Sequence, residues 1–284
     1  MLLIIGWVVV IIVVFGGFMV SGGHLAVLVH PVKLLMIVGA GVGAFVASCS
    51  PGALKSVIKL LPSAFKGPKY TKALYTELLC LLYELLNKMR RDGLMSLEDM
   101  VDKPEDSALF KKYPTLLAER HVIEFLCDYL RMMITGSMDP NELETLMDQE
   151  LDTHHQETEV PLSLLNKLGD SMPAFGIVAA VMGVVLTMSS LHLPAEELGP
   201  MIGAALVGAF VGILFGYAII APIPAALEHK IRDEAKALEA IKVTLLATLH
   251  HAAPSVAVEH GRKVLFSADR PSFQELSESI RAAR

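Results

Sequence analysis

The stretch Asp170-Ser-Met-Pro-Ala-Phe-Gly-Ile-Val-Ala-Ala-Val-Met-Gly-Val-Val-Leu-Thr-Met-Ser-Ser-Leu-His-Leu-Pro-Ala-Glu196, continued by Glu197-Leu-Gly-Pro-Met-Ile-Gly-Ala-Ala-Leu-Val-Gly-Ala-Phe-Val-Gly-Ile-Leu-Phe-Gly-Tyr-Ala-Ile-Ile-Ala-Pro-Ile-Pro-Ala-Ala-Leu-Glu228, decides the fold. Between their terminal acids neither half contains Asp, Glu, Lys or Arg. Each exceeds the ~20 apolar residues that carry a helix across a bilayer. The pair reads as a transmembrane hairpin joined by His192 to Gly199, with Glu196 and Glu197 as the charges of the connection. In the second arm Gly208, Gly212 and Gly216 recur at a spacing of four. On a helix this leaves a stripe without side chains, where another backbone can approach closely. The first arm answers with Gly176, Ala179, Ala180 and Gly183. Such stripes predict helices packed in a bundle. Ion-moving proteins usually place an ionisable group inside the membrane. Neither arm has one, so either the chain moves nothing or a second chain supplies the carrier.

Outward from the hairpin, two further spans are expected, at about Leu2–Val20 and Val32–Ser48. The amino-terminal run lacks the basic segment of a signal peptide and reads as an uncleaved span. Lys33 falls near the outer edge of the second span, where its stem can snorkel. Of the 24 lysines and arginines, all but Lys33 lie in residues 51–170 and 224–284. The positive-inside bias therefore makes the middle region, the tail and both termini cytoplasmic, and turns the two short loops outward. The expected architecture is an all-α membrane protein with four transmembrane helices. Residues 1–50 form one transmembrane hairpin, 51–170 a large helical cytoplasmic domain, 171–224 the second hairpin and 225–284 a helical cytoplasmic tail.

The polar regions show helical periodicity. Tyr70–Arg91 aligns Leu74, Leu78, Leu82, Leu85, Leu86 and Met89, and Thr115–Gly136 aligns Leu116, Ile123, Leu126, Leu130 and Met133. Asp139-Pro-Asn-Glu142 and Ser272-Phe-Gln-Glu275 read as capping boxes. Ala225–Leu249 reads as one long helix. Pro173 fits either a harmless first-turn proline or a hinge, and Pro222 with Pro224 predicts a kink.

Several chemistries are disfavoured. A net charge of -6 gives no sign of nucleic-acid binding. The three cysteines, Cys49, Cys80 and Cys127, have no metal or disulfide spacing and read as packing residues. Gly39-Ala-Gly-Val-Gly-Ala44 matches a dinucleotide fingerprint but lies in an apolar run without the acid such a site needs. Adjacent His154 and His155 point about 100° apart on a helix and cannot share an ion, so no metal site and no cofactor are expected. No hydrolase, zincin or Walker pattern supports an enzyme.

Five stretches carry a resemblance: Tyr70-Thr-Lys-Ala-Leu-Tyr-Thr-Glu-Leu-Leu79, Gly169-Asp-Ser-Met-Pro-Ala-Phe-Gly176 with its continuation to Val185, Ile241-Lys-Val-Thr-Leu-Leu246, Glu259-His-Gly-Arg-Lys263 and Arg270-Pro-Ser-Phe-Gln-Glu-Leu276. Together, in order and nearly end to end, they resemble the MotA family of flagellar motor stators. The resemblance implies a multi-pass protein of the bacterial inner membrane, forming a pentamer around a dimer of MotB. MotB would bring the membrane carboxylate and the cell-wall anchor. It also implies contact of Arg90 and Glu98 with the rotor protein FliG, and conformational coupling at Pro173 and Pro222. Sodium-driven members place threonines beside the ion path where this chain has Ala180 and Ala209. Sodium needs several oxygen ligands, so these alanines favour proton coupling, although proton-driven members often keep threonine at the second position. Two rival readings stand beside it. An ExbB/TolQ-like energiser of outer-membrane processes would have three spans. A self-sufficient transporter would need more polar groups in its spans than Thr187, Ser189 and Tyr217.

Overall fold

The computed structural model describes residues 2–136 and 139–283. The helices in chain order are α1 (Leu2–Val20), α2 (Pro31–Ser48), α3 (Pro51–Leu60), α4 (Lys72–Asp92), α5 (Glu98–Asp102), α6 (Pro114–Leu117), α7 (Arg120–Thr135), α8 (Pro140–Ser189), α9 (Ala195–Ile213), α10 (Pro222–Leu249), α11 (Pro254–Val264) and α12 (Phe273–Ala283). Short 3₁₀ turns link several of them, and no strand occurs among the described residues. Four helical stretches are long and apolar enough to cross a bilayer: Leu2–Val20, Leu25–Ser48, and segments of Pro140–Ser189 and Ala195–Leu249. The chain forms two compact units, one of Met1–Gly67 with Glu157–His229 and one of Pro68–Gln156 with Lys230–Arg284.

The first unit contains the apolar helices. α1 buries none of its residues and leaves Ile5, Val9, Ile12 and Val13 exposed, as suits a helix bathed in lipid. Trp7 meets Phe65 edge-on at 5.8 Å, and Phe15 meets Phe210 at 6.3 Å. α8 continues unbroken through Pro161 and Pro173. The first-turn reading of Pro173 is therefore excluded. α8 ends at Ser189 and α9 begins at Ala195, so the connection is shorter than His192 to Gly199. Glu196 and Glu197 occupy the first turn of α9, where the helix dipole favours negative charge. Lys33 does not snorkel outward. Its ammonium donates to the Ala204 carbonyl of α9, a bond worth more where water is scarce.

The second unit is built on α4. Besides the expected leucines, α4 also buries Tyr75, Leu79 and Leu81, so other helices pack around it on more than one side. Tyr129, Phe125 and Leu126 of α7, Leu143 and Met147 of α8, Ile241 and Leu245 of α10, and Val258 of α11 complete the core. Burial pushes the Cys80 thiol up to about 11 and the Cys127 thiol up to about 12, so both stay protonated and inert. The helix expected over Thr115–Gly136 is broken, because Ala118 and Glu119 separate α6 from α7. Glu119 leaves helical geometry and its carboxylate accepts from Lys69 at 3.0 Å and from the Tyr70 hydroxyl at 3.4 Å. Gly136 closes α7 in the left-handed conformation, φ 65°, and Gly93 after α4 also has positive φ.

Three of the sequence motifs meet in this unit. A Cβ on Gly261 would lie 2.8 Å from the Ala240 carbonyl oxygen and closer still to Thr244, so only glycine fits there. Arg262 chelates Glu259 and donates to the Pro271 carbonyl at 2.8 Å. Ser272 and Glu275 form the expected reciprocal cap of α12, at 2.7 Å and 3.2 Å. Asp139 Oδ2 accepts from Asn141 N at 3.2 Å at the start of α8.

Glu275 also receives the Lys72 ammonium at 2.7 Å. Lys72 first, and the Ser272 N–H and hydroxyl after it, hold this carboxyl down at about 2 against an ordinary 4.5. A depressed carboxyl contributes stability above its unfolded pKa and loses it as pH falls through the folded one. The α12 cap is therefore expected to hold from neutral pH to about 4.5 and to loosen between 4.5 and about 2. Hydrogen exchange of α12 amides against pH checks this. Lys72→Met should move the loosening to higher pH, and superimposable profiles would reject the linkage.

Candidate functional site

The α8–α9 crossing is built from backbone. A Cβ on Gly176 would sit 2.9 Å from both the Gly208 carbonyl oxygen and Gly212 Cα. One on Gly212 would sit 2.6 Å from the Met172 carbonyl oxygen and 2.7 Å from Gly176 Cα. One on Gly183 would meet Ala205 Cα at 2.8 Å. Gly208 faces the Ala180 backbone nitrogen. Ala180 and Ala209 therefore adjoin the closest approach of the two helices, each half-buried. With so little side chain between them, α8 and α9 gain dispersion contacts along their length. Ile177, Val178, Val181 and Val185 of α8 remain exposed.

Beyond Ile213 the helix widens. Leu214–Ile220 is a π-helix, and Ala221 N donates to Gly216 O at 2.9 Å. Pro222 then opens α10. A proline interrupts the helical ladder behind it because it has no N–H to give, and the chain absorbs this by a π-turn, a deformation frequent at functional sites. At Pro222, where the sequence predicts a kink, the structure shows this π-turn. Pro173 removes the bond that the Gly169 carbonyl would otherwise receive within α8. A Cβ on Gly216 would lie 2.6 Å from that carbonyl oxygen and 2.7 Å from Pro173 Cδ. The structure thus brings Pro173 to the residue whose carbonyl anchors the π-turn before Pro222. Nothing in the local sequence announces this pairing; Gly216 read only as the last member of a stripe.

The Thr187 and Ser189 hydroxyls are satisfied within their own helix. Thr187 donates to the Gly183 carbonyl at 3.0 Å and Ser189 to the Leu186 carbonyl at 2.7 Å. Neither is left to line a polar path, whereas Tyr217 is exposed.

Arg90 and Glu98 belong to the other compact unit. Arg90 lies in the last turn of α4, Glu98 begins α5, and the Gly93 corner and a 3₁₀ turn (Leu94–Leu97) lie between them. Both are exposed, and neither makes an ion pair among the described residues. By contrast Lys88, Arg91 and Asp92 beside them form ion pairs with one another.

Sequence reasoning missed one constellation. His154 does not share a site with His155. It meets His121 of α7 with ring centroids 4.5 Å apart, and His121 Nδ1 lies 3.0 Å from Glu234 Oε1 of α10. The hydrogen bond to Glu234 raises the His121 pKa. Burial alone would raise that of Glu234, but the bond to and charge of His121 outweigh it and the carboxyl lies below its usual range.

A helical chain with four apolar spans, two of them packed backbone to backbone through glycine, is of the multi-pass membrane class. Comparison with known proteins agrees. Residues 4–93 match the motility protein A N-terminal family, and residues 118–240 match the MotA/TolQ/ExbB proton channel family. Motility protein A of Salmonella typhimurium is 48% identical over 100% of this chain and 96% of its own length. The chain belongs to the motility protein A family. Its fold is that of Campylobacter jejuni MotAB, at a TM-score of 0.79 and 22% identity over 95% of this chain and 98% of that one. It is also that of the flagellar MotAB stator complex from Bacillus subtilis, at 0.74 and 24% over 90% and 92%.

Proposed function

We propose that this chain is the stator subunit of a bacterial flagellar motor, coupling proton flow through a complex with a MotB-type partner to torque on the rotor protein FliG. The end-to-end likeness to motility protein A carries this reading and sets the ExbB/TolQ-like energiser aside. The carboxylate-free spans fit it, because a partner helix must then bring the titrating acid. On this reading five copies surround a partner dimer in the inner membrane. The termini, the middle domain (51–170) and the tail (225–284) face the cytoplasm, and the hairpins 1–50 and 171–224 cross the lipid.

A proton from outside neutralises the partner's carboxylate and leaves to the cytoplasm. Each elementary charge crossing 100 mV releases about 2.3 kcal/mol, enough to tip a two-state packing with a gap of that size. Pro173 senses the change of charge. Its ring presses on Gly216, so a shift there acts on the π-turn and on Pro222 behind it. The motion reaches the rotor through Arg90 and Glu98. Ala180 and Ala209 give a passing ion no side-chain oxygen, which suits a proton.

The test uses cells lacking their own stators. Swimming is expected only when this chain is expressed with a one-span partner bearing a membrane aspartate. Replacing external sodium by potassium should leave speed unchanged, and a protonophore should stop it. Swimming without the partner, or loss of swimming on sodium removal alone, would overturn the respective half of the proposal.

A further inference from the structure

Among the described residues, His121, His154 and Glu234 each offer one ligand atom, and these atoms lie within 4.8 Å of one another. They come from α7, α8 and α10, three helices that the chain brings together in one compact unit. The geometry points to a site for a divalent transition cation of the zinc class, held by His121, His154 and Glu234, with solvent in the fourth position.

The spacing suits such an ion. Zinc binds imidazole nitrogen and carboxylate oxygen at about 2.0–2.2 Å, and tetrahedral ligands at that radius are roughly 3.3 Å apart. His121 Nδ1 and Glu234 Oε1 are already 3.0 Å apart. The remaining contraction is within reach of rotation about side-chain bonds. Two imidazoles and one carboxylate are borderline donors that select zinc and its transition-metal neighbours. Calcium and magnesium would seek an all-oxygen shell. The field also favours a cation: Glu150 and Glu124 add negative charge around His121. Lys69 opposes it at Glu234, but its ammonium is paired with Glu119 at 3.0 Å. All three side chains are partly buried, so an ion there would be shielded yet reachable from solvent. The bond between His121 and Glu234 has a purely structural use as an ion pair. His154 adds its ring against His121 from a third helix, with centroids 4.5 Å apart. A bound cation would clamp α7, α8 and α10 at one point, independently of proton coupling.

The experiment takes the full chain purified with its one-span partner, stripped with a chelator and titrated with zinc chloride. Metal content is read after desalting and affinity by calorimetry. One zinc per copy of this chain is expected, raising the melting temperature of the complex. His121→Ala and His154→Ala should each weaken binding by more than the 10–100-fold that a merely supporting residue carries. His155→Ala, altering the exposed neighbour on the same helix, should bind as the unaltered chain does. If a histidine variant fails to fold, cobalt substitution in the unaltered complex supplies a second readout, the visible absorption of a tetrahedral nitrogen–oxygen site. No retained zinc, affinity unchanged in both histidine variants, equal loss in His155→Ala, or a purely octahedral cobalt spectrum would overturn the inference.

Discussion

Gly212→Ala is expected to lower the melting temperature of the purified complex and to stop swimming, although it adds a single methyl group. That methyl would sit 2.6 Å from the Met172 carbonyl oxygen and 2.7 Å from Gly176 Cα. Both are backbone atoms and cannot rotate aside, so α8 and α9 must separate along the crossing. Overpacking of this kind costs about 1–3 kcal/mol, which for a chain of this size lowers the midpoint by roughly 2–4 °C per kcal/mol. Separation would also move Gly216 away from Pro173, so the loss of motility should exceed what stability alone explains. Gly203→Ala, on the same helix, is the control. Nothing lies within 4 Å of its new methyl, and its melting temperature should not change measurably. Equal midpoints for the two variants would refute the backbone-contact account of the hairpin.

The second large effect is expected from reversing Arg90 and Glu98 together. Both are exposed, and neither pairs with a charge among the described residues, so Arg90→Glu with Glu98→Lys should leave folding unchanged within about 0.5 kcal/mol. Membrane level and co-purification with the partner should match the unaltered chain. Torque should be lost, because placing like charges opposite each other across an interface costs several kcal/mol. Tethered-cell rotation measures this directly. Normal rotation with an unaltered rotor would remove these residues from the mechanism. Restored rotation on reversing the facing rotor charges would fix the contact.

The parts of the fold readable from residue order are those governed by local physics. Helix α1 spans Leu2–Val20, as its uninterrupted apolar run predicts, because a charge-free segment of that length has one favourable place to be. The Ser272–Glu275 cap is equally local: both of its bonds close within four residues. The glycine spacing of the second arm already implied a close neighbour, since a missing side chain leaves backbone as the only contacting surface.

Other features depended on groups distant in the chain. Glu119 breaks a helix that periodicity would continue, in an arrangement where Lys69 and Tyr70 take its carboxylate. Lys33 turns to a carbonyl supplied by a helix that begins over 160 residues later. Gly261 is required by Thr244 and Ala240, and Arg262 by Pro271, partners that spacing alone does not reveal. Adjacent on one helix, His154 and His155 diverge, yet folding set His154 close to His121 and Glu234 from two other helices. Periodicity and charge act over a few residues and select helices, spans and caps. Which faces meet is decided by packing the whole chain at once, and that choice joined Pro173 to Gly216 and gathered His121, His154 and Glu234.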